Sequence, residues 1–181
     1  MEKPPTLLVV TGPPGAGKST VARLLADRFE PSVLVEGDAF FRFLARGAIE
    51  PWRPESDAQN DVVTRAAASA AGGFARGGFV TVYDGVVGPW FLDTFASASG
   101  LDRLEYVMLL PSVDTCVERV ATRVDHEFSD EPATRTMHEG FAGATIAARH
   151  VLVDPPATPD AVADAVLARY EAGSLTYRIA G

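Results

Sequence analysis

Five short apolar runs alternate along the chain with longer stretches in which apolar and polar residues recur at helical spacing. The runs are rich in β-branched residues and end at glycine, aspartate or proline, which is typical of buried strands. The predicted strands cover residues 6–11, 32–36, 79–83, 104–110 and 150–153. The predicted helices cover residues 18–29, 38–46, 55–76, 90–98, 111–124, 134–146 and 158–172. This alternation predicts an α/β fold with a parallel sheet covered by helices on both faces.

The segment between the first strand and the first helix carries the most specific motif. It reads Gly12-Pro13-Pro14-Gly15-Ala16-Gly17-Lys18-Ser19-Thr20. This is the pattern G-x-x-x-x-G-K-[ST] in its required strand–loop–helix setting. Glycines let backbone N–H groups turn toward phosphate oxygens, while Lys18 can reach the β- and γ-phosphates and Ser19 can ligate Mg²⁺. The motif therefore predicts that the chain binds a nucleoside triphosphate.

Two acidic residues directly follow predicted strands, Asp38 after the second and Asp84 after the third. Ligands of a parallel sheet bind beyond the carboxyl ends of its strands, so both side chains are expected to face the loop. Asp38 is predicted to orient or deprotonate an acceptor hydroxyl, and Asp84 to position Mg²⁺ with Ser19. The two roles could be exchanged. The ordinary alternatives are a helix cap for Asp38 and turn chemistry for Asp84.

With these residues the chain resembles the small P-loop phosphotransferases. They include chloramphenicol phosphotransferase, the gluconate, shikimate and nucleoside monophosphate kinases and the zeta toxins; the chain also resembles ATPases of the AAA family. The resemblance rests on the loop, Gly37-Asp38, Asp84-Gly85 and the arginines flanking residues 125–134. It implies a three-layer αβα P-loop NTPase sandwich with a five-stranded parallel sheet in the order 2-3-1-4-5. It also implies a single kinase domain over residues 1–181, with a mobile lid at about 120–138 that closes over ATP.

Arginines flank the predicted lid on both sides. Arg119 and Arg123 lie four residues apart on one helix face, and Arg135 follows the polar segment. Phosphoryl transfer spreads negative charge over the moving group, so these arginines are candidates for binding and stabilising the phosphates. Ordinary surface charge on a helix is the alternative. The resemblance further implies that the loop at Pro155, after the last strand, passes the adenine ring.

Aromatic residues follow the second and third strands and suggest where an acceptor would bind. Ligand pockets are mostly apolar with a few polar anchors. The candidate acceptor residues are Asp38, Phe41, Trp52, Gln59, Asn60, Asp84 and Trp90. Packing in the core is the alternative for the aromatic members.

Composition limits the partners. The chain has 181 residues, a net charge of −8 and one cysteine, Cys116. An acidic chain is poorly suited to nucleic acid, whose binding depends on neutralising phosphates. One cysteine permits no internal disulfide, and no apolar stretch reaches the roughly 18 residues of a membrane span. We expect a cytoplasmic monomer or homodimer with a small-molecule partner.

These observations converge on an ATP- and Mg²⁺-dependent phosphotransferase that transfers the γ-phosphate to a hydroxyl of a small molecule, either an antibiotic or a metabolite. The predicted catalytic residues are Lys18, Asp38, Arg119, Arg123 and Arg135. A nucleotide-dependent switch or ATPase module and a zeta-toxin-like kinase of a nucleotide sugar are the alternatives. The sequence names neither the acceptor nor the choice between ATP and GTP.

Overall fold

The computed structural model describes residues 5–122 and 130–179 and consists of a central sheet with helices on both faces. The strands are β1 (Thr6–Thr11), β2 (Ser32–Glu36), β3 (Val80–Asp84), β4 (Arg103–Leu110), β5 (Val151–Val153) and β6 (Thr176–Arg178). The helices are α1 (Lys18–Ala26), α2 (Gly37–Phe41), α3 (Asp57–Arg76), α4 (Pro89–Ser99), α5 (Val113–Ala121), α6 (Glu131–Gly143) and α7 (Pro159–Glu171). This arrangement confirms the predicted α/β fold.

The sheet topology places the candidate residues at one edge. Strands β1 to β5 pair in parallel in the order β2-β3-β1-β4-β5, which confirms the predicted order. The carboxyl ends of the parallel strands therefore meet where Gly12, Gly37 and Gly85 follow β1, β2 and β3. The sheet has one strand more than predicted, because β6 pairs antiparallel with the beginning of β4.

Two apolar clusters lie on opposite faces of the sheet. Val9 and Val10 are adjacent in β1 but belong to different clusters, as the pleat of a strand requires. The cluster beneath α3 and α4 includes Tyr83, Phe95 and Tyr106, whereas the cluster beneath α1 and α7 includes Leu25, Val82 and Val166. Burial on both faces explains why β1 and β4 are apolar almost throughout.

The helix bounds differ from the predicted ones by up to five residues, and α2 and α6 show why. Helix α2 ends at Phe41, five residues early, because the amides of Phe43 and Leu44 bond back only three residues, which tightens the chain into turns. Helix α6 begins at Glu131, three residues early, because the Asp130 carboxylate accepts the Ala133 amide proton at 2.9 Å and caps the helix. Residues 123–129 of the predicted lid lie outside the described residues, so the lid stays a prediction. No helix of the described residues is long and apolar enough to cross a membrane.

Candidate functional site: a cleft at the ends of the parallel strands

The loop between β1 and α1 has a backbone that only glycine suits. Gly12, Gly15 and Gly17 have φ of 145°, 79° and 91°, which side-chain-bearing residues rarely adopt. A methyl group at Gly15 would lie 2.3 Å from the carbonyl oxygen of Cys116, and one at Gly12 would lie 2.3 Å from that of Leu109. The backbone conformation thus favours glycine at all three positions, and space requires it at Gly12 and Gly15.

Charged donors lie directly over this loop. The Nζ of Lys18 donates a hydrogen bond to the carbonyl oxygen of Pro13 at 3.0 Å. Arg119, on α5, donates from a guanidinium nitrogen to the carbonyl oxygen of Gly15 at 3.3 Å. Both cations therefore lie at the loop where phosphate oxygens would be cradled, although Arg119 comes from a distant part of the chain.

The Ser19 side chain at the start of α1 lies beside the Asp84 carboxylate at the end of β3, and hydrogen bonding from it lowers the pKa of Asp84. Burial raises the pKa of Asp84, whose residue is only 9% exposed; the Ser19 hydrogen bond and the charge of Lys18 oppose this rise. The charges of Asp38 and Glu36 add to it. A hydroxyl and a carboxylate are hard oxygen donors of the kind Mg²⁺ prefers. Larger clusters, with three or more His, Cys, Asp or Glu around a common point, are absent from the described ranges.

Asp38 lies in the first turn of α2 and is exposed to solvent. The N-cap of α2 is Glu36, without a side-chain hydrogen bond, so Asp38 does not cap this helix as the ordinary alternative supposed. A carboxylate in the first turn still benefits from the helix dipole. Its accessibility leaves it available to a ligand.

Tyr83 lies between the two acidic motifs, and sequence reasoning missed it. A methyl group on Gly37 would lie 2.3 Å from the Tyr83 hydroxyl oxygen, and one on Gly85 would lie 2.7 Å from its ring. The ring packs against Phe95 at a centroid distance of 4.7 Å. Burial raises the pKa of the Tyr83 phenol, and the charges of Asp38 and Asp84 raise it further. The only signal in the sequence was the glycine next to each aspartate.

The predicted Arg135 is held by carboxylates of α5 and α6. Arg135 forms ion pairs with Glu131 at 3.0 Å and with Asp114 at 3.5 Å, so it links α6 to α5. Arg123 lies outside the described residues. Of the two predicted arginines that the structure describes, Arg119 contacts the phosphate-binding loop and Arg135 pairs with carboxylates instead.

The predicted polar anchors bind the chain's own backbone. The Gln59 amide accepts from the Ile49 N–H and donates to the Ile49 carbonyl, both at 2.8 Å. The Asn60 Nδ2 donates to the Pro51 carbonyl at 2.8 Å and to the Ser56 hydroxyl at 2.9 Å. The Oδ1 of Asn60 is buried without a hydrogen-bond partner among the described residues. These amides hold the segment between α2 and α3 in place.

The predicted aromatic residues differ in their surroundings. Phe41 is half-buried, and Trp52 and Trp90 are 39% and 52% exposed. The Trp90 ring lies 5.0 Å from that of Phe141, so it joins the start of α4 to α6. Pro155 follows β5 at the carboxyl edge of the sheet and is half-buried.

Comparison with known proteins places this geometry in context. A family model described as an AAA domain matches residues 7–143. A sugar kinase from a Janibacter species is 18% identical over 93% of this chain and 95% of that one, with a TM-score of 0.70. A gluconokinase from Sinorhizobium meliloti is 20% identical over 94% of both chains, also with a TM-score of 0.70.

A third solved structure includes ligands in its description. It is an APS kinase from Mycobacterium tuberculosis in complex with AMPPNP and APS, 18% identical over 93% of this chain and 99% of that one, with a TM-score of 0.70. A search of curated proteins found no match. At these identities the solved structures show a common fold over nearly the whole chain.

Proposed function

Since the chain belongs to the family of AAA domains, we propose that it is a kinase that transfers the γ-phosphate of ATP to a hydroxyl group of a small molecule, with Mg²⁺. One observation carries the proposal. The Ser19 side chain of the phosphate-binding loop lies beside Asp84, whereas Asp38 is exposed to solvent, and the charges of both carboxylates raise the pKa of the Tyr83 phenol. A second, accessible carboxylate would supply the base that an acceptor hydroxyl needs.

The donor half of the proposed site is the loop and the groups above it. Lys18 and the inward-facing amides would bind the phosphates, and Ser19 and Asp84 would hold the metal. When bound, Mg²⁺ supplies positive charge that offsets the charge of the phosphate oxygens. Arg119 already contacts the loop and would bind a phosphate oxygen without a large rearrangement. Binding of ATP rather than GTP is part of the proposal.

The acceptor half centres on Asp38. Its carboxylate would accept the proton of the acceptor hydroxyl while the new O–P bond forms and the bond from the γ-phosphorus to the bridging oxygen of ATP breaks. The leaving group is ADP. Trp52 and Trp90 follow β2 and β3 in the chain and present exposed indole surface, and we propose that they contact the acceptor.

The lid arginines would complete the charge stabilisation. Arg135 is held by two carboxylates, so it can reach a phosphate only by giving up the ion pairs to Glu131 and Asp114. Both pairs are partly exposed and cost little to break. Arg123 is proposed on its position in the sequence alone. The names of the structural neighbours, sugar kinase, gluconokinase and APS kinase, support the reaction type.

The experiment is a comparison of Asp38→Asn with wild type on a panel of sugars, sugar acids and hydroxyl-bearing antibiotics. We expect one compound class to stimulate ATP consumption. Loss of the proposed base should lower kcat with that compound by about 10²- to 10⁴-fold, while the affinity for AMPPNP stays the same. Asp102→Asn, an exposed aspartate before β4, is the matched control and should behave as wild type. Wild-type turnover by Asp38→Asn would contradict the assignment, and turnover that depends only on a protein partner would favour the switch.

A further inference from the structure

A second concave site lies at the opposite end of the sheet from the phosphate-binding loop. It is formed by the beginning of β4, by β6 and by the turn that follows α7. It encloses about 450 Å³ and is lined by Arg103, Arg149, Gly173, Thr176, Tyr177 and Arg178. We call it the arginine groove. Its position separates it from every residue of the proposed kinase site.

The three guanidinium groups of the arginine groove lie together without partners; among the described arginines, Arg42 and Arg46 also lack partners, but they lie outside the groove. Most arginines among the described residues bind a carboxylate or a backbone carbonyl; they are Arg23, Arg28, Arg53, Arg65, Arg76, Arg119, Arg135 and Arg169. Within residues 5–122 and 130–179, the side chains of Arg103, Arg149 and Arg178 have no hydrogen bond or ion pair. A shortage of carboxylates does not explain this, since the chain has 24 acidic and 16 basic residues.

Strand pairing forces two of these charges together. Arg103 of β4 and Arg178 of β6 are directly opposite each other in the antiparallel pair. Side chains in such positions point to the same face with Cβ atoms about 5 Å apart, and like charges there are destabilising. The next pair on that face, Glu105 and Thr176, is joined by hydrogen bonds from the Thr176 hydroxyl. Glu105 offsets part of the Arg103 charge, as the lowering effect of Arg103 on its pKa indicates.

We propose that the arginine groove binds a small soluble anion that carries a phosphate group. A guanidinium offers a planar fork of N–H donors that matches phosphate oxygens, and the volume is that of a small-ligand site. An anion between Arg103 and Arg178 would remove the repulsion across β4 and β6. The net charge of −8 disfavours nucleic acid and anionic membrane surfaces, which leaves a small ligand. The inference is independent of the proposed kinase activity.

The probe is inorganic pyrophosphate, titrated into the full chain while backbone amide shifts are followed by NMR. The titration uses the Lys18→Ala variant as the parent protein, because this change weakens phosphate binding at the phosphate-binding loop. The backbone amides of Gly173, Thr176 and Tyr177 lie at the groove, so their shifts report binding there. We expect saturable shifts there, with affinity at least about tenfold weaker in Arg178→Ala and in Arg103→Ala, since each removes charge-assisted hydrogen bonds. Arg46 lies in the segment between α2 and α3, outside the groove, and also lacks a described partner. Arg46→Ala should therefore leave these shifts unchanged.

Three results would overturn the proposal. One is the absence of saturable shifts at the groove amides, or shifts that sodium chloride at equal ionic strength reproduces. Another is an equal affinity in Arg178→Ala and in the Lys18→Ala parent. The third is sedimentation of the protein with vesicles of phosphatidylcholine and phosphatidic acid, which would assign the groove to a lipid headgroup instead of a soluble anion.

Discussion

At the scale of single residues, Asp84 combines a structural cost with a proposed function. Burial raises its pKa, so the folded chain binds this proton more tightly than the unfolded chain does. Stability from this group is therefore present at low pH and declines as the pH rises above the ordinary carboxyl value of 3.8. Burial opposes deprotonation of Asp84 in the ligand-free protein, and the Ser19 hydrogen bond and the charge of Lys18 offset this effect only in part.

Asp84→Asn should therefore raise the melting temperature of the ligand-free protein at pH 7, with a smaller gain at pH 4, where the wild-type carboxyl holds more of its proton. The same variant should weaken Mg²⁺-dependent AMPPNP binding by about tenfold or more, because a neutral amide replaces a charged oxygen ligand. Calorimetry at both pH values and binding with and without Mg²⁺ measure the two effects. A lower melting temperature at pH 7 would show that the carboxylate is stabilising, contrary to this account.

The close contact between Tyr83 and Gly37 should make the effects of substitutions at these two residues depend on each other. Gly37→Ala would bring a methyl group to 2.3 Å from the Tyr83 hydroxyl and 3.0 Å from the Asp84 carbonyl. Overpacking of this kind costs about 1–3 kcal/mol. Tyr83→Phe removes the closest atom, so the double variant should be more stable than the sum of the two single changes predicts. Urea unfolding of the four proteins gives the coupling energy; strictly additive values would contradict the contact.

At the scale of elements, helices α3 and α4 approach each other at Gly72. A methyl group there would lie 1.9 Å from the carbonyl oxygen of Ser99 at the end of α4, whereas one at Gly73 would meet nothing within 4 Å. Gly72→Ala should destabilise the protein by about 1–3 kcal/mol, and Gly73→Ala should stabilise it by about 0.5–1 kcal/mol through helix propensity. Chemical denaturation of this matched pair checks the packing. Equal stabilities would mean that α3 and α4 do not meet at Gly72.

The elements also show how far the sequence could be read. Strands β1 and β4 were predictable because apolar residues on both faces leave a continuous run. Strand β6 was not, because its three residues have no period and their pairing depends on a distant strand. Helix α2 is shorter than its polarity pattern suggested, since the amides of Phe43 and Leu44 bond back three residues instead of four.

In the candidate site, too, residues with a local sequence signal were predictable and residues whose role depends on distant contacts were not. The loop glycines and the aspartates after β2 and β3 have local signals, so they could be named in advance. Tyr83 looks like any other strand residue, and its position between two motifs depends on the strand order. The partners of Gln59 and Asn60 depend on where the segment at 49–51 returns to α3, which no local pattern encodes.

At the scale of the whole molecule, a movement of the proposed lid should change the surroundings of Trp90 on the acceptor side. This indole packs on Phe141 of α6, the helix that begins within the predicted lid, and it lies within ordinary contact distance of Gly140. In a Trp52→Phe background, Mg²⁺ and AMPPNP should change the Trp90 fluorescence as α6 shifts. A spectrum that stays constant while calorimetry shows nucleotide binding would mean that α6 does not respond to the donor half.

The central claim is that the loop and Asp38 are the two halves of one phosphotransfer site. The most direct measurement is the fate of the terminal phosphate of ATP labelled with ¹⁸O, followed by mass spectrometry with the stimulating compound from the acceptor panel. The account predicts that the labelled phosphoryl group appears on a hydroxyl of that compound, and that Asp38→Asn loses this product while it still binds AMPPNP. Label found only in inorganic phosphate, at equal rates in wild type and Asp38→Asn, would contradict it.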